Sequence, residues 1–172
     1  MNMSMHRHER ELTKGLVAGV AGGLLASFLM EQFQSLWTNA SKRLNPHQKE
    51  KESKEDPATV KAAQAISTGL THQKIPNKNK PVAGEIMHYM MGGSSGAIYG
   101  LAAELTPLVT AGEGLAFGTS VWAAADNAFV PALGLAKPPT KTALSTHIYA
   151  LSSHLIYGFV TETVRRAIRA VL

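Results

Sequence analysis

Four long, mostly apolar stretches alternate with polar ones along this chain. Gly15–Met30 (GLVAGVAGGLLASFLM) carries no charge over 16 residues and continues amphipathically to Trp37. Residues 82–104, 112–130 and 142–168 supply the other three. The pattern therefore predicts helices over 15–37, 82–104, 112–130 and 142–168, since each run is long enough for several turns and lacks interior breakers. Residues 38–80 form the one extended hydrophilic segment, rich in Lys, Glu, Asn and Gln. Inside it Asp56-Pro57-Ala58 reads as a helix start, with Pro in the first turn and Asp as the cap. Gly69 is the natural stop, so a short helix over about 57–69 rides on this loop. Met1–Lys14 is polar and basic and is expected to fray. Leu105–Ala111 reads as a tight turn around Pro107, and Pro131–Lys141 as a second loop.

The stretches are related to each other. Ser94–Glu104 reads SSGAIYGLAAE and Ser152–Glu162 reads SSHLIYGFVTE, with both serines, Ile-Tyr-Gly and the last Glu in common. The same offset aligns Pro81 with Pro139, so each copy has a basic, proline-marked entry. The preceding helices match more loosely. Gly19 and Gly23 stand twelve and eight residues before Glu31 of Glu31-Gln32, and Gly114 and Gly118 stand likewise before Asp126 of Asp126-Asn127. Two helix pairs in tandem are the expected plan. With two crossings per copy, both copies run the same way, related by an axis near the membrane normal.

Glycine decides the solvent. Gly15, Gly19 and Gly23 recur every fourth residue, as do Gly92, Gly96 and Gly100, with Gly158 as the copy of Gly100. In water each mid-helix glycine costs about 0.5–1 kcal/mol relative to Ala. In lipid the same spacing lets backbones approach closely and pack by dispersion. A soluble bundle is the competing reading, because mean hydropathy is only −0.03. A cleaved leader is disfavoured, since Glu31-Gln32-Phe33-Gln34 follows the first apolar run where a small-residue cleavage site belongs. The expectation is an all-α, four-helix integral membrane bundle made of two tandem helix pairs.

Charge is confined to the ends and loops. Nine of the 17 Lys and Arg fall in Lys42–Lys80, and none lies in Leu105–Ala136. The net charge of +5 is thus carried by tails and one loop, which argues against a nucleic-acid partner. There is no cysteine, which removes disulfides, thiolate metal sites and Cys nucleophiles. No motif with the specificity of a metalloprotease or nucleotide-binding signature is present, so a non-enzymatic protein without cofactor or metal is expected.

Ionisable groups inside apolar helices are costly and hence the candidate chemistry. They are Glu85, His88, Glu104, Glu113, Asp126, His147, His154 and Glu162. The glutamates Glu104, Glu113 and Glu162 are expected near the interfaces, reaching water. Asp126 lies deeper, and His147 and His154 are seven residues apart on one face, about 10 Å along the axis. These groups fit a hydrogen-bonding role toward Ser94, Ser95, Tyr99, Ser152, Ser153 or Tyr157. They also fit proton or ion handling, and, with His88, a metal or haem site.

Several of these residues carry a family resemblance. Pro57–Gln64, Lys80–Gly84 with His88-Tyr89, and Gly92, Gly96 and Tyr99-Gly100 resemble the YagU-like family of uncharacterised bacterial inner-membrane proteins. So do Pro131, Leu133-Gly134-Leu135, Pro138-Pro139, His147, His154-Leu155, Tyr157-Gly158, Glu162 and Arg165-Arg166. The resemblance implies a small multi-pass protein of the bacterial inner membrane and brings no activity with it. The expected role is a helix-packing subunit or oligomer-forming module in the lipid bilayer. Its partners would be a second copy or another membrane subunit. The alternatives are a proton- or ion-conducting or transport bundle using Asp126, His88, His147 and His154, and a His-ligated haem or metal subunit.

Overall fold

The computed structural model describes residues 2–44, with side chains from His6, and 55–172; the stretch 45–54 of the hydrophilic loop lies outside them. Six α-helical segments follow one another: α1 (Asn2–Leu44), α2 (Ala58–Thr71), α3 (Lys80–Leu105), α4 (Leu115–Ala124), α5 (Val130–Ala132) and α6 (Leu144–Val171). A π turn, Ala125–Phe129, joins α4 to α5 without interruption. Short 3-10 turns cover Asn77–Asn79, Pro107–Thr110 and Pro139–Lys141. No strand occurs among the described residues.

Small residues decide which helices meet. On α1 and α3 the glycines face each other in three antiparallel tiers: Gly15 with Gly100, Gly19 with Gly96, and Gly23 with Gly92. A Cβ on Gly96 would stand 2.8 Å from the Gly23 Cα and closer still to the Gly19 carbonyl. A Cβ on Gly19 would stand 2.9 Å from the Gly100 Cα. Backbone meets backbone, so only glycine fits these tiers. The second pair repeats the arrangement: Gly114 packs on Gly158, and Gly118 on the His154 carbonyl and Gly158. Between the pairs Gly22 of α1 rests on the Thr161 backbone of α6. Beside that crossing Ala26, Met30 and Tyr157 form a small buried cluster, with Phe117, Val121 and Val160 against it. The Tyr157 hydroxyl crosses the bundle to the Gly92 carbonyl at 2.6 Å. On the outside of α3, Val60 of α2 seats over Gly84.

Helix ends confirm that the two pairs run the same way. Residues from the start of α1, the end of α3, the turn before α4 and the end of α6 converge in one ion-paired cluster. The opposite end carries the loops.

Several expectations change: α1 runs on to Leu44 where 37 is expected, and α2 passes Gly69 to end at Thr71, with Asp56 paired to Lys80 instead of capping it. Residues 2–14 continue α1 where fraying is predicted; Thr13 bonds to the Glu9 carbonyl, and Glu11 reaches both Lys14 and Arg169. Helix three starts at Leu115 where 112 is expected, because Gly112, Glu113 and Gly114 all take positive φ. The register of the duplication also differs by one turn. Gly114 and Gly118 meet α6 as Gly15 and Gly19 meet α3, whereas the sequence spacing to Asp126-Asn127 matches them to Gly19 and Gly23.

Candidate functional site

The candidate residues fall in separate places. Glu104 and Glu162 belong to the cluster at the closed end. Arg169 donates to both Glu104 oxygens, at 2.7 and 2.9 Å, and to Glu11 at 2.7 Å. Arg165 grips Glu162 in a two-point contact at 2.7 and 2.9 Å, Arg166 reaches the same carboxylate, and Arg166 also donates to Glu113 at 2.7 Å. Glu162 is completely buried, contrary to the expected exposure to water, because two guanidiniums replace its hydration. Tyr99 stacks on Phe117 at 4.2 Å beneath Arg165. Outside the helical crossing region, the Arg169 guanidinium holds the Glu11 carboxyl below its ordinary value, and Glu104 then Glu11 raise Arg169 in turn. This cluster clamps four helix ends; every charge in it has a partner.

His88 stands on the other pair. Its Nε2 donates to the Ser27 carbonyl at 3.3 Å, and its ring lies edge-on to Tyr89, whose hydroxyl donates to Glu31 at 3.1 Å. Glu85 is exposed. Among the described residues no three His, Cys, Asp or Glu side chains converge as metal ligands. The predicted joining of His88 with His147 and His154 is not formed.

Asp126, His147 and His154 do share one place. Asp126 sits in the π turn, where the Asn127 side chain donates to the Trp122 carbonyl at 3.1 Å. Such turns are often found at functional sites. His154 Nδ1 donates to the Ala150 carbonyl at 2.9 Å and stands 3.7 Å from the Asp126 carboxylate. His147 Nε2 donates to the Pro139 carbonyl at 3.1 Å, and its ring meets Trp122 edge-on. Each histidine thus spends one nitrogen on backbone, which fixes its tautomer when neutral. Asp126, with its side chain 39% exposed, accepts no hydrogen bond among the described residues.

A cavity of about 190 Å3 opens beside this carboxylate, lined by Trp122, Asp126, Val130, Lys137, His147 and Ala150. The packing register explains it. Where the first pair closes a third tier with Gly23 on Gly92, the equivalent positions of the second pair are Trp122 and Ala150. Side chains at that tier hold α4 and α6 apart, and Asp126 occupies the position that Ser27 has in the first pair. Sequence reasoning missed Trp122, Ala150 and Lys137 because its alignment of the two copies was one turn out. The missing glycines at 122 and 150 were the available signal.

Glycine, alanine, serine, threonine and paired charges make up much of the interior, beside Met30, Tyr99 and Tyr157. By length and composition, one helix among the described residues is apolar enough to cross a membrane: His6–Leu44, within α1. The chain belongs to the family described as protein of unknown function (DUF1440), whose model matches residues 38–163. The match takes in α2 through most of α6 and leaves the glycine face of α1 outside it. Neither a curated protein nor a solved structure matches the chain.

Proposed function

We propose that this chain is a multi-pass protein of the bacterial inner membrane, of the YagU-like kind its sequence resembles. Its role would be that of a non-enzymatic, tightly packed helical module. One observation carries the reading: large apolar side chains face outward while small and polar ones face inward. Leu24, Leu25, Phe28, Leu29, Ile86, Met90, Ile98 and Phe159 are exposed, whereas Ser27, Ser153, Thr161, Glu162 and Arg165 are buried. A water-soluble fold buries the first group and exposes the second. Each large side chain gains about 1.5–3 kcal/mol on leaving water, which a bilayer supplies and this interior does not. The hydropathy of α3 and α6 is lowered by residues that face inward, so their outer surfaces are more apolar than their sequences. Because α1 and α3 spend their glycine faces on each other, any homo-oligomer would form through the apolar outer surface.

Alkaline carbonate extraction of cell membranes tests the reading. Retention in the pellet is expected, and recovery in the soluble fraction refutes it.

A proton- or ion-handling role is the second reading, favoured by the unbonded Asp126 beside His154 at a cavity. Histidine titrates between about pH 5 and 8. Flux into proteoliposomes across that range, lost in Asp126→Asn, is the expected result; wild-type flux equal to empty liposomes removes this reading.

A further inference from the structure

We propose that the cavity between α4 and α6 binds a small zwitterion of the amino-acid class, with its ammonium on Asp126 and its carboxylate toward Lys137. The proposal is independent of whether the module packs helices or passes ions.

Neither Asp126 nor Lys137 makes a hydrogen bond among the described residues. Partly buried carboxylates in folded proteins accept hydrogen bonds, and one without a donor requires an explanation. Asp126 has none: His154 Nδ1, 3.7 Å away and an ion-pair partner only when that ring is protonated, donates to the Ala150 carbonyl. Of the hydroxyl residues that line the cavity with it, Thr142 is spent on the Pro138 carbonyl and Thr146 makes no hydrogen bond to Asp126. A donor from outside the chain would complete Asp126. Lys137 is exposed and makes no ion pair or hydrogen bond among the described residues.

The two charges are set in order along one path. Asp126 lines only the inner cavity, whereas Lys137 lines both it and an outer basin bounded by Glu55, Asp56, Pro57 and Lys61. In that basin the other charges are matched: Lys61 with Glu55 at 3.3 Å, and Lys80 with Asp56 at 2.7 Å. A ligand entering from the loops therefore meets the Lys137 cation first and, behind it, the Asp126 carboxylate with only His154 beside it at 3.7 Å. A bare cation is repelled at Lys137, and a bare anion at Asp126. A molecule carrying both charges a few atoms apart satisfies both.

Size and lining agree. About 190 Å3 holds roughly six waters at about 30 Å3 each, well below the volume of a drug-sized pocket. Trp122, Val130 and Ala150 offer apolar wall for a short side chain, while His147 is held against Pro139 and takes no part.

The test uses the full chain purified in detergent, carrying Trp37→Phe so that fluorescence reports Trp122 alone. Each standard amino acid is titrated, followed by the amine and the carboxylic acid that match the best binder. At least one amino acid is expected to change Trp122 fluorescence and raise the melting temperature. Its amine and acid should bind at least about tenfold more weakly, the scale set by one unmet charge contact. Asp126→Asn should abolish binding. Lys137→Met should weaken the amino acid and, with the repulsion gone, let its amine bind as well as or better than to wild type, so that the preference for the amino acid is lost. Lys137 is on an exposed turn, so that variant decides the matter even if Asp126→Asn does not fold. No response to any amino acid, an amine that binds wild type as well as its amino acid does, or Lys137→Met binding like wild type would each overturn the proposal.

Discussion

Adding one methyl group at Gly96 should destabilise the protein, although the same change on an open helix stabilises it. The new Cβ would run into the Gly19 carbonyl and stand 2.8 Å from the Gly23 Cα. Both obstacles are backbone, so no side chain can swing away, and α1 and α3 must separate along all three tiers. Overpacking of this kind costs about 1–3 kcal/mol, and a rigid backbone obstacle belongs at the upper end. Replacing glycine by alanine in a helix returns about 1 kcal/mol. The net expectation is a loss of about 2 kcal/mol. For a chain of this size that lowers the melting midpoint by roughly 4–8 °C.

Gly69 supplies the control. It lies in α2 with nothing within 4 Å of a Cβ placed on it, so Gly69→Ala should gain about 0.5–1 kcal/mol from helix propensity alone. Thermal unfolding of both variants in one detergent compares them directly. If Gly96→Ala melts at or above wild type while Gly69→Ala behaves as expected, the close approach of α1 and α3 is wrong.

Glu162→Gln should cost about 3–5 kcal/mol, because Arg165 would be left buried with only Glu104 nearby, at 3.7 Å; the paired change Glu162→Gln with Arg165→Met should recover much of that loss in thermal unfolding. Tyr157→Phe removes the 2.6 Å bond to the Gly92 carbonyl, and about 0.5–1.5 kcal/mol should go with it; an unchanged midpoint would mean the two pairs are not tied there. The lowered Glu11 makes the contact with Arg169 favour the fold above the ordinary value of 4.5, an advantage lost as pH falls through the lowered value. Glu11→Gln should accordingly flatten the acid side of the stability profile, and a profile identical to wild type would remove Glu11 from the clamp.

Glycine spacing made the packing legible, because every-fourth-residue glycine on two helices has few uses other than close approach. Gly15, Gly19 and Gly23 do meet Gly100, Gly96 and Gly92. The Asp126–His154 neighbourhood was legible for a related reason: ionisable groups are rare in such helices. Convergence at the closed end was not. Glu11, Glu104, Glu113, Glu162 and three arginines lie far apart in sequence, and only the antiparallel return of each helix brings them together. The burial of Glu162 was hidden too, since a carboxylate four residues before an arginine reads as readily as a solvent-exposed pair. The π turn has no sequence signature.

The duplication and the cavity are one fact seen twice. Both halves solve the same problem, an antiparallel helix pair closed by glycine, and both close two tiers in the same way. They part at the third. Gly23 on Gly92 lets α1 and α3 stay in contact as far as Ser27, whose hydroxyl folds back onto the Gly23 carbonyl at 2.9 Å. Trp122 and Ala150 put an indole and a methyl at the equivalent tier, and the cavity opens beside them. The residue one turn further on is then released from backbone contact. In the first half it is a serine satisfied by its own helix; in the second it is Asp126, facing open space without a donor. Repeating a packing unit and then spoiling one tier of one copy yields a site without building a new fold around it. It also explains why the site lies at the loop end: the glycine tiers hold the closed end of both pairs, and only the last tier could be given up without unfastening the rest.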